Sequence, residues 1–324
     1  MEEECEFRRW DELIPDALAL IFKNLSLPEI LTVVPRVCKS WERAVKGPYC
    51  WQEIDIEEWS RRCRSEDLDQ ILQMLITRSG SSLRKLCVSG LLSDSSFTFI
   101  AEHGKSLHTL RLPSSGISDS IVNNIAERLS ALTFLDVSYC KNIGAHALET
   151  IGNCCKFLTG LRRTMHPLDL INKLSQDDEA IAIAGTMPKL KQLEMAYLLI
   201  STESVLRILA NCKELELLDV QGCWNVKLDD KVVKRYPGLK VVGPVVTDCC
   251  GTNGWDVCSN YSGSSRYLAW DFVTGGIDDY DDESSDGAWD DDDDDDDESI
   301  ENVEMRFYDD FDVDNAGSDW PQSP

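Results

Sequence analysis

Leucines recur at Leu83, Leu107, Leu132, Leu158, Leu190, Leu215 and Leu239, at intervals of 24, 25, 26, 32, 25 and 24 residues. Most copies continue as Leu-x-x-Leu-x-apolar: Leu83/Leu86/Val88, Leu107/Leu110/Leu112, Leu132/Leu135/Val137, Leu190/Leu193/Met195 and Leu215/Leu218/Val220. The alternation predicts a short strand with one buried face. Each strand is followed by a run of helical periodicity, such as 119–129 or 203–212. One strand and one helix per unit of fixed period predicts an α/β solenoid of about seven repeats over residues 49–243. The leucines point inward, so the residues between them face out on the concave side. After the second leucine these read Cys87, Arg111, Asp136, Arg162, Glu194 and Asp219; before it, Lys85, Thr109, Phe134, Gly160, Gln192 and Leu217. The early copies lean basic and the late ones acidic, a gradient that would steer an oppositely graded partner. Ordinary solvated variation is the alternative. Lys85, Arg111, Phe134, Asp136, Arg162, Glu194 and Asp219 are therefore the candidate ligand-reading positions.

The 32-residue interval after Leu158 marks an insertion at Met165–Asp178. Its apolar members Leu168, Leu170, Ile171 and Leu174 fit either a binding loop or an extra helical turn on the core. Residues 244–276 supply Trp255, Tyr267, Leu268, Trp270 and Phe272, enough to cover an open solenoid end.

Residues 10–45 predict three short helices. Pro15 suits a first helical turn. Leu18, Ile21, Phe22 and Leu25 then form an apolar stripe, and Ser26 with Glu29 makes a capping box for the second helix. Ile30, Leu31, Val33 and Val34 make that helix apolar on most sides. Pro35 resets the chain, and Val37, Cys38, Trp41 and Val45 line a third helix ended by Gly47-Pro48. Such a unit carries more apolar side chains than it can bury, which implies a partner or docking on the solenoid.

The segment from Trp10-Asp11-x-Leu13 through Ile21-Phe22-x-x-Leu25, Leu27-Pro28-x-x-Leu31 and Val37-Cys38-Lys39-x-Trp41 resembles an F-box. Leu13-Ile14-Pro15 moves the usual Leu-Pro proline by one place. The repeats resemble the cysteine-containing leucine-rich kind found behind F-boxes, with Cys140, Cys154, Cys212 and Cys223 after strands or helices. Over Trp10–Gly243 the chain resembles a plant-type F-box leucine-rich-repeat protein. The resemblance implies an F-box over 1–48 that docks on the Skp adaptor of a cullin-RING ubiquitin ligase. It also implies repeats that hold a protein substrate for ubiquitination and degradation. By motif position the adaptor-facing residues would be Leu13, Ile14, Pro15, Ile21, Leu25, Leu27, Pro28, Leu31, Val37, Cys38 and Trp41. The chain would be a non-catalytic subunit.

Charge separates one further region. Residues 277–324 hold 22 acids and one base, a net −21, whereas 1–276 hold 36 acids and 31 bases, a net −5. Eight consecutive aspartates, Asp290 to Asp297, predict a disordered acidic tail. Two roles are open besides inert solvation: contact with Lys85, Arg111 and Arg162 on the solenoid, or recruitment of a basic partner. The second would suit an interaction or chaperone protein outside any ligase. Net negative charge disfavours nucleic acid. No apolar run reaches membrane-spanning length, so no membrane insertion is expected. The acidic opening MEEECEFRRWDE predicts no secretory leader, and thirteen cysteines without one predict free thiols in nucleus or cytoplasm. Cys249, Cys250 and Cys258 lack a fourth ligand or a zinc spacing, and no phosphate-binding glycine loop occurs, so no metal or cofactor is expected.

Overall fold

The structure, a computed structural model, describes residues 10–244 apart from 28, 167–174 and 229–234. The expected cap at 244–276 falls outside these residues beyond Pro244, as do the acidic tail, the apolar part of the insertion and Cys249, Cys250 and Cys258.

A 3-10 turn at Trp10–Glu12 precedes helix α1 (Pro15–Phe22), which Pro15 opens. The capping box forms as the sequence predicts. The Ser26 amide and hydroxyl donate to Glu29 Oε2 at 2.9 and 2.8 Å, and the Glu29 amide donates to Ser26 Oγ at 3.4 Å. These bonds hold the Glu29 carboxyl below the usual range. The turn that follows, Glu29–Val33, is π-helical and leads into α2 (Val34–Val37). Pro35 explains the wide turn, since it has no N–H to continue an α-helical ladder. Helix α3 (Lys39–Lys46) and a 3-10 turn at Pro48–Trp51 complete the unit. Trp51 is 1% exposed, donates from its indole to Val45 O at 2.6 Å and lies under the Arg78 guanidinium. It fastens the N-terminal unit to the next helical layer, α4 (Glu57–Ser60) and α5 (Ser65–Ser79).

Among the described residues eight three-residue strands form one parallel sheet in sequential order: β1 Glu53–Asp55, β2 Lys85–Cys87, β3 Thr109–Arg111, β4 Phe134–Asp136, β5 Gly160–Arg162, β6 Gln192–Glu194, β7 Leu217–Asp219 and β8 Lys240–Val242. Strands β2–β8 are the seven sequence repeats. Strand β1 is an eighth rung that the leucine spacing does not announce, because Ile54 stands in the leucine column opposite Leu86. Helices α6 (Asp94–His103), α7 (Asp119–Ile125), α8 (Ala145–Cys154), α9 (Asp177–Thr186) and α10 (Thr202–Asn211) form the outer layer.

Every rung is in register, so the middle residues stack as one column. Ile54, Leu86, Leu110, Leu135, Leu161, Leu193 and Leu218 are at most 3% exposed. Polar staples add to the stacking. Asp94 accepts from the Ser118 amide and hydroxyl at 3.1 and 2.7 Å, Asp119 from the Gly144 amide at 2.8 Å, and Asp177 from the Ser201 amide at 2.7 Å. Each staple joins a residue in the first turn of one outer helix to the start of the next.

The cysteines are part of this stacking. The thiols of Cys140, Cys155, Cys212 and Cys223 donate to carbonyls one repeat back, at 3.1 to 3.4 Å. Cys155, rather than the expected Cys154, is the repeat equivalent of Cys212, three residues before the heading leucine. Burial pushes the Cys155 thiol up to about 12 and Cys140, Cys212 and Cys223 up to about 11. These groups are protonated, small and apolar at neutral pH.

One repeat breaks the pattern. Where the other copies carry Val88, Leu112, Val137, Met195 or Val220, the fourth, headed by Leu158, carries Arg163, 1% exposed. Its guanidinium donates to Cys140 O at 2.9 Å, Ile143 O at 2.7 Å and Val137 O at 3.3 Å, and pairs with Glu179 of α9 at 3.0 Å. The cation thus ties the turn of the third repeat to the helix that follows the insertion. Removing one partner of a buried pair leaves an uncompensated charge. Glu179→Ala should therefore cost about 3–5 kcal/mol. Arg163→Met/Glu179→Ala should recover much of that, because Met195 fills the equivalent place in the next repeat. Guanidinium unfolding of the three chains checks this; equal midpoints for the single and double variants would refute it.

Candidate functional site

Two surfaces carry the residues that the sequence singles out. The first lies on the N-terminal unit. Helix α1 buries Leu18, Ala19 and Phe22 and turns Leu20 and Ile21 to solvent. Phe22 meets Trp41 of α3 edge-on at 5.1 Å, and the Trp41 indole donates to Trp10 O at 3.4 Å. What remains outside is apolar: Ile14 at 66% exposure, Val37 at 54%, Ile21 at 40% and Leu25 at 37%. Pro15 is also exposed, whereas Leu13, Leu27, Cys38 and Trp41 are half-buried. Leu31 departs from expectation. It is 5% exposed within the core, because the π-helical turn points Ile30 and Leu31 inward and leaves Val33 outside. Pro28 lies outside the described residues. Leu20 and Val33 extend the exposed surface beyond the motif positions.

The second surface is the concave face of the sheet. Lys85, Arg111, Phe134, Asp136, Arg162, Glu194 and Asp219 fall on adjacent strands in the two predicted rows. The expected charge gradient is largely spent within the chain. Lys85 pairs with Asp55 at 3.1 Å. Arg111 reaches Glu57 at 3.0 Å and Asp136 at 3.4 Å. Arg162 meets Asp136 at 3.5 Å and forks onto Glu194 at 2.6 and 2.9 Å. Asp136 is 1% exposed, so it holds two arginines in place and offers no surface of its own. Phe134 packs against Gly160 of β5, where an added Cβ would come within 2.5 Å of the ring.

The alternation of charge ends at β6 and β7. Glu194 stands in register with Asp219, and Asp219 accepts from the Gln221 amide at 2.9 Å. Burial and the Glu194 carboxylate hold Asp219 above the usual carboxylate range, against the pull of that amide.

The rim of this face carries residues that the strand pattern does not reveal. Four residues after the second leucine the backbone turns left-handed at Gly90, Ser114, Tyr139, Tyr197 and Gly222. Positive φ is costly for a bulky side chain. Tyr139 is nonetheless placed there at φ 62°, and burial with the nearby Asp136 carboxylate pushes its phenol up to about 12. Tyr197 packs on Gly222, where a Cβ would come within 2.2 Å of the ring. Glu57 of α4 and Arg61 at that helix's C-cap complete the set, paired at 2.8 Å beside Arg111. Superposing the repeats in register would have exposed the tyrosines; nothing in the spacing points to Glu57. Among the described residues no group of histidine, cysteine or carboxylate side chains is arranged to hold a metal ion. No described helix is long and apolar enough to cross a membrane.

The raised Asp219 gives a sign that can be tested. A carboxyl held above its unfolded pKa costs stability once both states are ionised, and the cost disappears as pH falls below the unfolded value. Asp219→Asn should therefore raise the denaturant midpoint at neutral pH, with the gain shrinking through the acid range. A gain independent of pH would show that the carboxylate's charge is not responsible.

The F-box domain model matches residues 10–53. F-box protein FBW2 from Arabidopsis thaliana is 58% identical over the full length of both chains. F-box protein SKIP19 from the same plant is 32% identical over 74% of this chain and 78% of its own. A third Arabidopsis chain, described as an F-box/LRR-repeat protein, is 30% identical over 71% of this chain and 94% of its own. With the helical unit at its head and the in-register strand–helix rungs behind it, the chain belongs to the plant F-box proteins of the leucine-rich-repeat kind.

Proposed function

We propose that this protein is the substrate-recognition subunit of an SCF-type ubiquitin ligase. Its F-box docks on the Skp adaptor, and its repeats present a protein substrate for ubiquitination and proteasomal degradation. The observation that carries the reading is the apolar surface at Ile14, Ile21, Leu25 and Val37, left in solvent beside a complete core. An exposed apolar cluster of this kind marks a protein interface. The chain itself serves as a scaffold in this reading. Its buried repeat thiols are held protonated, and a thiolate is what a ubiquitin thioester would need.

Burying each such side chain is worth roughly 1.5–3 kcal/mol. Ile21→Ala/Leu25→Ala should then weaken adaptor binding by orders of magnitude, at about tenfold per 1.4 kcal/mol. Co-purification with the adaptor reads this out, and undiminished binding by the folded double variant would refute the docking surface.

The concave face is the substrate side of this proposal, and its chemistry directs the choice of variants. Reversing Arg111 or Arg162 would set like charges against Glu57, Asp136 and Glu194, so it would test the sheet as much as the ligand. Phe134→Ala/Leu217→Ala removes half-buried apolar side chains from the same rows without breaking an ion pair. Proteins captured under proteasome inhibition should be lost from that variant while adaptor binding persists. Unchanged capture would place recognition on another surface.

A further inference from the structure

The two edges of the solenoid differ in charge, and the fold is the reason. All outer helices run the same way, so their N-termini line one edge and their C-termini the other. Acids gather at the first turns, where Asp94, Asp119, Asp177 and Glu203 sit. The opposite edge comprises the helix ends and strand entries: windows 78–84, 102–108, 127–133, 153–159, 186–191, 211–216 and 235–240. These windows hold ten lysines and arginines against four glutamates, a net +6 in a body whose residues 1–276 sum to −5.

Helix dipoles explain why cations are tolerated there, but they do not consume them. Lys156 donates to the Gly152 carbonyl at 3.0 Å and Arg128 pairs with Glu102 at 2.8 Å. Among the described residues Arg84, Lys105 and Lys213 are exposed and have no ion pair. Midway along the edge Phe157 is 63% exposed, with the Lys189 amine 5.7 Å from its ring centre. This edge therefore combines surplus positive charge with an uncovered aromatic ring. The concave cations Lys85, Arg111 and Arg162 are already paired with carboxylates of their own chain.

We infer that the basic edge is the docking surface for the chain's own C-terminal segment, residues 298–324. That segment carries eight acids and one base, a net −7, interleaved with Phe307, Tyr308, Phe311 and Trp320. It matches both features of the edge: carboxylates for the unpaired cations and aromatic rings for Phe157 and its lysine. The aspartate run 290–297 offers charge alone and would leave the ring uncovered. Reach is not limiting. Eight strands about 4.8 Å apart span roughly 34 Å, and the 53 residues between Pro244 and Glu298 have contour to spare. Tethering also supplies an effective concentration up to the millimolar range, so a weak contact is populated.

Zero-length carbodiimide coupling of the full chain, read by mass spectrometry, tests this. At low salt, Lys105, Lys189 and Lys213 should couple to carboxylates within 298–324. Lys141 and Lys227, near the helix N-termini, should not. The links should vanish at 1 M salt, where the Debye length falls to about 3 Å. In the full-length variant Phe157→Ser/Lys189→Glu, two exposed positions, the remaining links through Lys105 and Lys213 should drop at least tenfold. A mixture of isotopically light and heavy chains keeps the links within one label if the contact is internal. Links confined to 290–297, spread over lysines of both edges, shared between labels, or absent would each overturn the proposal.

Discussion

Parallel, in-register stacking of three-residue strands is the constraint on which the rest of this structure depends. One buried residue per rung, from Ile54 to Leu218, forms the column, and its neighbours on either side are forced onto the concave face. The residues of that face are therefore brought together by register, whatever their separation in sequence. Arg111, Asp136, Arg162 and Glu194 become a cross-strand ladder in which each arginine bridges carboxylates of different rungs. The same stacking aligns the outer helices, sorting acids to one edge and bases to the other.

Stacking also accounts for the buried polar chemistry. Each rung must bond to the one before it, and thiols, serines and aspartates at repeat-equivalent places do so at intervals of about 25 residues. The Arg163–Glu179 pair is the most demanding case, since a desolvated guanidinium replaces an aliphatic side chain. Its five hydrogen bonds to the preceding repeat and to α9 fix the geometry on both sides of the insertion. The F-box faces the opposite problem. Leu18, Phe22 and Trp51 complete its small core, and Ile14, Ile21, Leu25 and Val37 stay outside it, in solvent.

Much of this was legible in the residues alone. The leucine period predicted the architecture and seven of the eight described rungs, and the apolar and capping residues over 10–45 predicted short helices in a segment that resembles an F-box. Both signals are local or strictly periodic, so neither needs tertiary knowledge. Tertiary structure decided what is paired and what is free. Leu31 and Ile21 look alike in a periodicity plot, but the π-helical turn points Leu31 inward while α1 leaves Ile21 in solvent. Arg111, Arg162 and Lys105 are equally basic in sequence, yet register sets carboxylates beside the first two and leaves the third in solvent. Charge and apolarity are properties of a residue; their availability depends on partners 25 to 54 positions away, which only the stacked sheet brings within reach.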